Sequence, residues 1–214
     1  MRRGYDEHFW PWLEKLCFDK NLNVVKVKLP NNPSDKETNY ENWSKIFEEQ
    51  TNGIDLKKST IIAYSLGSIF SVKYIQSNNK SVHGYISLAG ALKSRKILLN
   101  LSPRLRGFVP SHVACKHFSK LVENRHSFYS STNCDDYFST KRLEQFASNI
   151  NAEHHPIQNV GHLRDREQFG DRLAEVLGRL TLIKPSIDEG KSALAPCIQM
   201  KEKSVSTTAP TRFR

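Results

Sequence analysis

Apolar residues along this chain switch between two spacings, and the switches predict its elements. Residues 8–20 place Leu13, Leu16 and Cys17 at helical spacing with Pro11 in the first turn, which predicts a helix. Asn21-Leu22-Asn23 is a turn, and Val24 to Leu29 is a strand that Pro30-Asn31-Asn32-Pro33 breaks. Residues 40–50 return to helical spacing through Trp43, Ile46 and Phe47, and Asn52-Gly53 ends that helix. A β-branched run over 59–63 leads into a helix over 66–76 with Ile69, Phe70, Val72 and Ile75. Val82 to Gly90 is a buried strand ending in small residues, and 127–131 is another strand. Residues 140–150 form a helix through Leu143, Phe146 and Ile150. Residues 152–157 make a last strand at a sheet edge, because Pro156 cannot donate to a ladder. Residues 165–180 close the pattern as a helix with Phe169, Leu173, Val176 and Leu177. Strand alternating with helix at this spacing predicts a mostly parallel sheet covered on both faces.

Two segments fall outside the pattern. Residues 91–127 have no clean period and are interrupted by Pro103, Gly107 and Pro110; they form either a lid inserted between strands or an ordinary connecting segment. Beyond residue 184 the chain is rich in Ser, Thr, Pro and Lys without periodicity, which predicts a disordered tail over 184–214 after one α/β domain over 1–183. Both segments are basic. The formal net charge is +10, with eight Lys or Arg against one acid in 91–127 and six against three in 181–214. A basic surface attracts anionic substrates, nucleic acid or membrane. No stacking motif or nucleic-acid module accompanies the charge, so a solvated face is the better reading and nucleic acid the weakest partner class. No apolar run approaches the ~20 residues of a membrane helix, and the N-terminus lacks an apolar signal core. The four cysteines stand apart with no CxxC pair, as reduced thiols do, so a cytoplasmic location is expected. His154 and His155 are adjacent and face opposite sides of a strand, and no His/Cys ladder exists; neither metal nor cofactor is expected.

The chemistry concentrates at strand ends. Ser59-Thr60-Ile61-Ile62-Ala63-Tyr64-Ser65-Leu66-Gly67 passes from an apolar strand through one serine into a helix, the outline of a nucleophile elbow. The backbone is strained at such a turn, so small residues must stand two before and two after the serine, and Ala63 and Gly67 do. Asp135, in the acidic turn after strand 127–131, and His162, in the loop after the last strand, follow in the order nucleophile, acid, histidine. Acyl transfer needs these three types. A serine hydroxyl reacts only when an imidazole takes its proton, and a carboxylate fixes that imidazole's tautomer. Asp136 competes with Asp135 for the acid role. At such an elbow the amide after the serine, here Leu66, is expected to be one oxyanion donor.

At these residues the chain resembles the YdeN-like / retinoblastoma-binding serine hydrolase family of the α/β-hydrolase superfamily. The likeness rests on His8-Phe9-Trp10-Pro11-Trp12-Leu13, Leu29-Pro30-Asn31, Trp43, Thr60 to Gly67, Ser131 to Phe138 and Val160-Gly161-His162, and covers about residues 4–180. It implies a Rossmann-like three-layer α/β sandwich and a Ser65-Asp135-His162 triad that cleaves ester or amide bonds of a small molecule without a cofactor. In the family pattern the triad acid precedes a Pro-aromatic-apolar-Pro turn, and Asp136-Tyr137-Phe138-Ser139 stand over those positions, which favours Asp135. Two departures stand out. Tyr64 occupies the position before the nucleophile, where the family usually has histidine. The family also begins with an apolar strand that runs into an oxyanion turn; here Met1-Arg2-Arg3-Gly4-Tyr5 stand there, so that first strand is expected to be missing and Gly4 and Tyr5 are the remaining oxyanion candidates. The alternative is a catalytically impaired member or truncated isoform that binds a protein partner.

Overall fold

The alternation of periods becomes an alternation of elements in the computed structural model, which describes residues 9–30, 36–91, 107–108, 112–182 and 196–203. Helix α1 (Trp10–Asp19), with Pro11 in its first turn, leads to strand β1 (Asn23–Pro30). Helix α2 (Tyr40–Gln50) is capped by Asn39, whose side chain accepts from the Asn42 amide. Strand β2 (Thr60–Tyr64) turns into α3 (Leu66–Ser77), and β3 (Val82–Leu88) follows. Then come α4 (His112–Leu121), β4 (Val122–Ser130), α5 (Thr140–Asn149), β5 (Glu153–Ile157) and α6 (Gly170–Leu182). The final described element is β6 (Pro196–Lys203).

All five ladders of the sheet are parallel, and the strand order is β1-β6-β2-β3-β4-β5. Alternation along β2 divides the core. Ile61 and Ala63 face Trp43, Phe47, Phe70 and Phe118 from α2, α3 and α4. Ile62 and Tyr64 face Phe9, Trp10 and Leu13 of the α1 segment and Leu173 and Leu177 of α6. The result is the three-layer α/β sandwich, with β5 at the edge where Pro156 requires it.

Two expectations need correction. The tail predicted to be disordered contributes β6, which pairs with β1 from Asn23↔Pro196 to Pro30↔Lys203 and with β2 from Thr60↔Cys197 to Ala63↔Met200. It occupies the interior position beside the serine-bearing strand, between β1 and β2. Main-chain pairing on both sides, together with Ile198 buried against the same core as Val27 and Ile61, overrides the polar composition of the segment. The rest of 184–214 lies outside the described residues. The basic segment 91–127 is also shorter as a connection than expected: β4 begins at Val122, and α4 precedes it directly. Residues 92–106 and 109–111, where a lid would be built, lie outside the described residues.

Candidate active site

The elbow forms as the residue pattern requires. Ser65 has φ 52° and ψ −118°, a left-handed conformation that a non-glycine residue adopts only where its surroundings impose it. Those surroundings are specific. The Ser65 amide donates to the Leu88 carbonyl at 2.8 Å, and the Ser68 hydroxyl reaches back to the Ala63 carbonyl at 2.8 Å, closing the turn from both sides. A β-carbon at Gly90 would lie 2.8 Å from Ser68 Cβ and 2.7 Å from the Phe146 ring, so the end of β3 passes the elbow helix at a distance only glycine permits. Helix α3 starts at Leu66, which makes the Leu66 amide one of its first-turn donors without an intrahelical acceptor.

Asp135 is held by its own turn. Its Oδ1 accepts from the amides of Tyr137 at 2.8 Å and Phe138 at 2.9 Å. The turn is tied down where Thr140 and Asn133 exchange side-chain to backbone hydrogen bonds at 2.9 and 3.0 Å. Oδ2 is thereby left for His162, whose Nδ1 lies 2.7 Å away. Burial pushes the Asp135 carboxyl up, but the hydrogen bond and charge of His162 and the two amides outweigh it and hold the group below its usual value. Asp136 points elsewhere: it pairs with Arg164 at 2.9 Å on the surface. Of the two neighbouring acids, then, the structure brings Asp135 to the histidine.

His162 is 4% exposed, and its Nε2 lies 2.8 Å from Ser65 Oγ. With Asp135 accepting from Nδ1–H, Nε2 is the acceptor for the serine proton. The loop that carries it is pinned by the Ser130 hydroxyl on the Val160 carbonyl at 2.6 Å and by the Asn159 amide on Thr132 Oγ1 at 3.1 Å. Tyr64 adds a contact that sequence reasoning missed. Its hydroxyl donates to the His162 carbonyl at 2.6 Å, and its ring centroid lies 5.2 Å from the imidazole. The signal was present, since tyrosine stands where the family usually has histidine, but a partner 98 residues away has no local signature. Tyr137 and Phe138 complete the aromatic wall around the imidazole, with centroids at 4.7 and 5.8 Å. Gly4 and Tyr5, the other oxyanion candidates, lie outside the described residues.

Among the described residues, one group has the donor atoms for a metal ion: His126, Glu153 and His155. His155 Nδ1 accepts from Arg172 Nε at 3.1 Å, so its proton sits on Nε2 and points at His126 Nδ1, 3.2 Å away. The acceptor nitrogens of both imidazoles are thus engaged in a hydrogen-bonded chain. His155 is buried and His154 exposed, as strand alternation requires.

The profile of the serine hydrolase family matches residues 2–180, and the chain belongs to that family. The fold is that of known hydrolases. The crystal structure of the ydeN gene product from B. subtilis superposes with a TM-score of 0.65 at 19% identity, covering 84% of this chain and 93% of that one. A YdeN-like hydrolase from Pectobacterium atrosepticum gives 0.52 at 17% identity over 78% and 96% of the two chains. The meta-cleavage product hydrolase from Pseudomonas fluorescens gives 0.53 at 10% identity over 70% and 74%. A search of curated proteins finds no match. No described helix is long and apolar enough to cross a membrane.

Proposed function

We propose that this protein is a serine hydrolase that cleaves ester or amide bonds of a small molecule through an acyl-enzyme, with Ser65 as nucleophile, His162 as base and Asp135 as the carboxylate that orients it. The observation that carries the reading is the unbroken chain Ser65 Oγ–His162 Nε2–His162 Nδ1–Asp135 Oδ2, with links of 2.8 and 2.7 Å at the strand ends of one sheet. Ser65 Oγ attacks the acyl carbon while its proton passes to His162 Nε2. The negative charge that develops on the carbonyl oxygen is met by the Leu66 N–H at the helix terminus. Collapse expels the alcohol or amine, which takes the proton from Nε2. Water then repeats the sequence on the ester of Ser65, releases the acid and restores the serine. Asp135, kept ionised, compensates the positive imidazole in both halves.

The test is labelling of the purified full chain by a fluorophosphonate probe. We expect one label on the wild type and none on Ser65→Ala. A folded wild type that stays unlabelled overturns the reading and favours a family member that binds without turnover.

A further inference from the structure

The oxyanion of an acyl-transfer transition state is best met by two preorganised donors, and removing one typically costs 10²–10³-fold in kcat. If the reading above holds, Leu66 supplies the first, and the second must come from backbone lying beside Ser65 at the carboxyl edge of the sheet. On the β3 side the Leu88 carbonyl accepts from the Ser65 amide at 2.8 Å, and the Ala89 amide is taken up by the Phe128 carbonyl at 2.9 Å. The β6 side differs. Its ladder with β2 ends at Ala63↔Met200, because β2 turns into the elbow one residue beyond Tyr64. Its ladder with β1 continues through Lys28↔Lys201, Leu29↔Glu202 and Pro30↔Lys203. β6 therefore runs past the point where β2 stops pairing with it, alongside the turn that holds the nucleophile.

Along a parallel strand, successive residues direct their N–H groups to opposite neighbours. Of Lys201, Glu202 and Lys203, either Glu202 alone or both Lys201 and Lys203 turn their N–H away from β1, toward the elbow, where no β2 ladder residue pairs with them. We propose that the backbone at the end of β6, within Lys201–Lys203, supplies the second oxyanion donor to the Ser65 site. The inference rests on the serine-hydrolase reading and adds to it where the transition state is held.

Proline scanning tests this in the full chain, because proline removes one N–H and leaves the extended backbone in place. Lys201→Pro, Glu202→Pro and Lys203→Pro are each assayed for ester hydrolysis and for thermal midpoint. A residue whose N–H pairs with β1 will lower the midpoint when replaced. A residue whose N–H faces the elbow will lower kcat 10²–10³-fold with KM and midpoint near wild type, and the two behaviours will alternate along the three positions. The proposal is overturned if all three proline variants keep kcat within threefold of a labelled, active wild type. An unlabelled wild type sinks the hydrolase reading and this proposal together, whereas a labelled wild type with unaffected proline variants sinks this proposal alone.

Discussion

Replacing Asp135 with asparagine isolates the role of the acid without disturbing its turn. Asparagine keeps an oxygen for the Tyr137 and Phe138 amides, at 2.8 and 2.9 Å from Oδ1 in the wild type. Its NH2 group must then take the place of Oδ2, 2.7 Å from His162 Nδ1, and present a proton where a lone pair stood. Nδ1 can only accept, so the ring's single proton moves to Nε2 and faces Ser65 Oγ across 2.8 Å. The serine loses its base. The variant also loses the charge that stabilises the imidazolium, a contribution of about 4 kcal/mol for unit charges about 4 Å apart at an effective dielectric constant of about 20. A wrong tautomer of this kind typically lowers kcat about 10⁴-fold, equivalent to roughly 5.5 kcal/mol in the barrier. Initial rates of aryl-ester hydrolysis, with circular dichroism to confirm the fold, will measure it. We expect kcat to fall about 10⁴-fold and KM to change little. A variant within tenfold of wild type refutes the argument that Asp135 sets the tautomer. Asp136→Asn is the internal control. Its pair with Arg164 joins side chains 57% and 44% exposed, an interaction that typically contributes below about 1 kcal/mol, and activity should stay within about threefold.

Other consequences follow from the same contacts. Tyr64→Phe removes the hydroxyl that donates to the His162 carbonyl at 2.6 Å; unfolding free energy in urea should fall by about 1–3 kcal/mol and kcat by about tenfold at constant KM, and an unchanged midpoint with unchanged kcat would contradict the positioning role. Burial, with the nearby charges of His126, Arg172 and Arg179 and against the pull of Glu153, lowers His155 from 6.5 to about 4. The unfolded chain therefore binds a proton in the window from about 6.5 down to 4 that the folded chain refuses, and stability falls as pH drops through it, by about 3 kcal/mol in all. Urea midpoints from pH 7 to pH 4 should decline less steeply in His155→Gln, and parallel slopes would refute this.

Much of the architecture was legible because each element announced itself by period. Helix α2 and the β2–α3 elbow were read almost to the residue, since β-branched runs, caps and helical spacing all agree there. That Ser65, Asp135 and His162 would come together was legible because they sit at strand ends in a workable order. Spacing alone leaves Asp135 and Asp136 open; in the fold the Tyr137 and Phe138 amides hold Asp135 while Asp136 pairs with Arg164. The Tyr64 bond spans 98 residues and has no local signature. β6 was illegible for a different reason. Cys197-Ile198-Gln199-Met200 lacks the apolar run of its neighbours, and what places it is a vacant main-chain slot formed by strands far away in the chain.

The position of β6 also sets the order in which this molecule can fold. β1 and β2 are sheet neighbours only through β6, so each keeps an unpaired edge until residues 196–203 arrive. Of the described strands they are the last to leave the ribosome during synthesis, and both ladders they form span more than a hundred residues of sequence. Pairing of such high contact order is slow, and exposed strand edges invite association with other chains while they wait. The sheet can thus be nucleated early from β2, β3 and β4 but is sealed only once residues 196–203 have been made, with the Ser65-bearing strand as the seam.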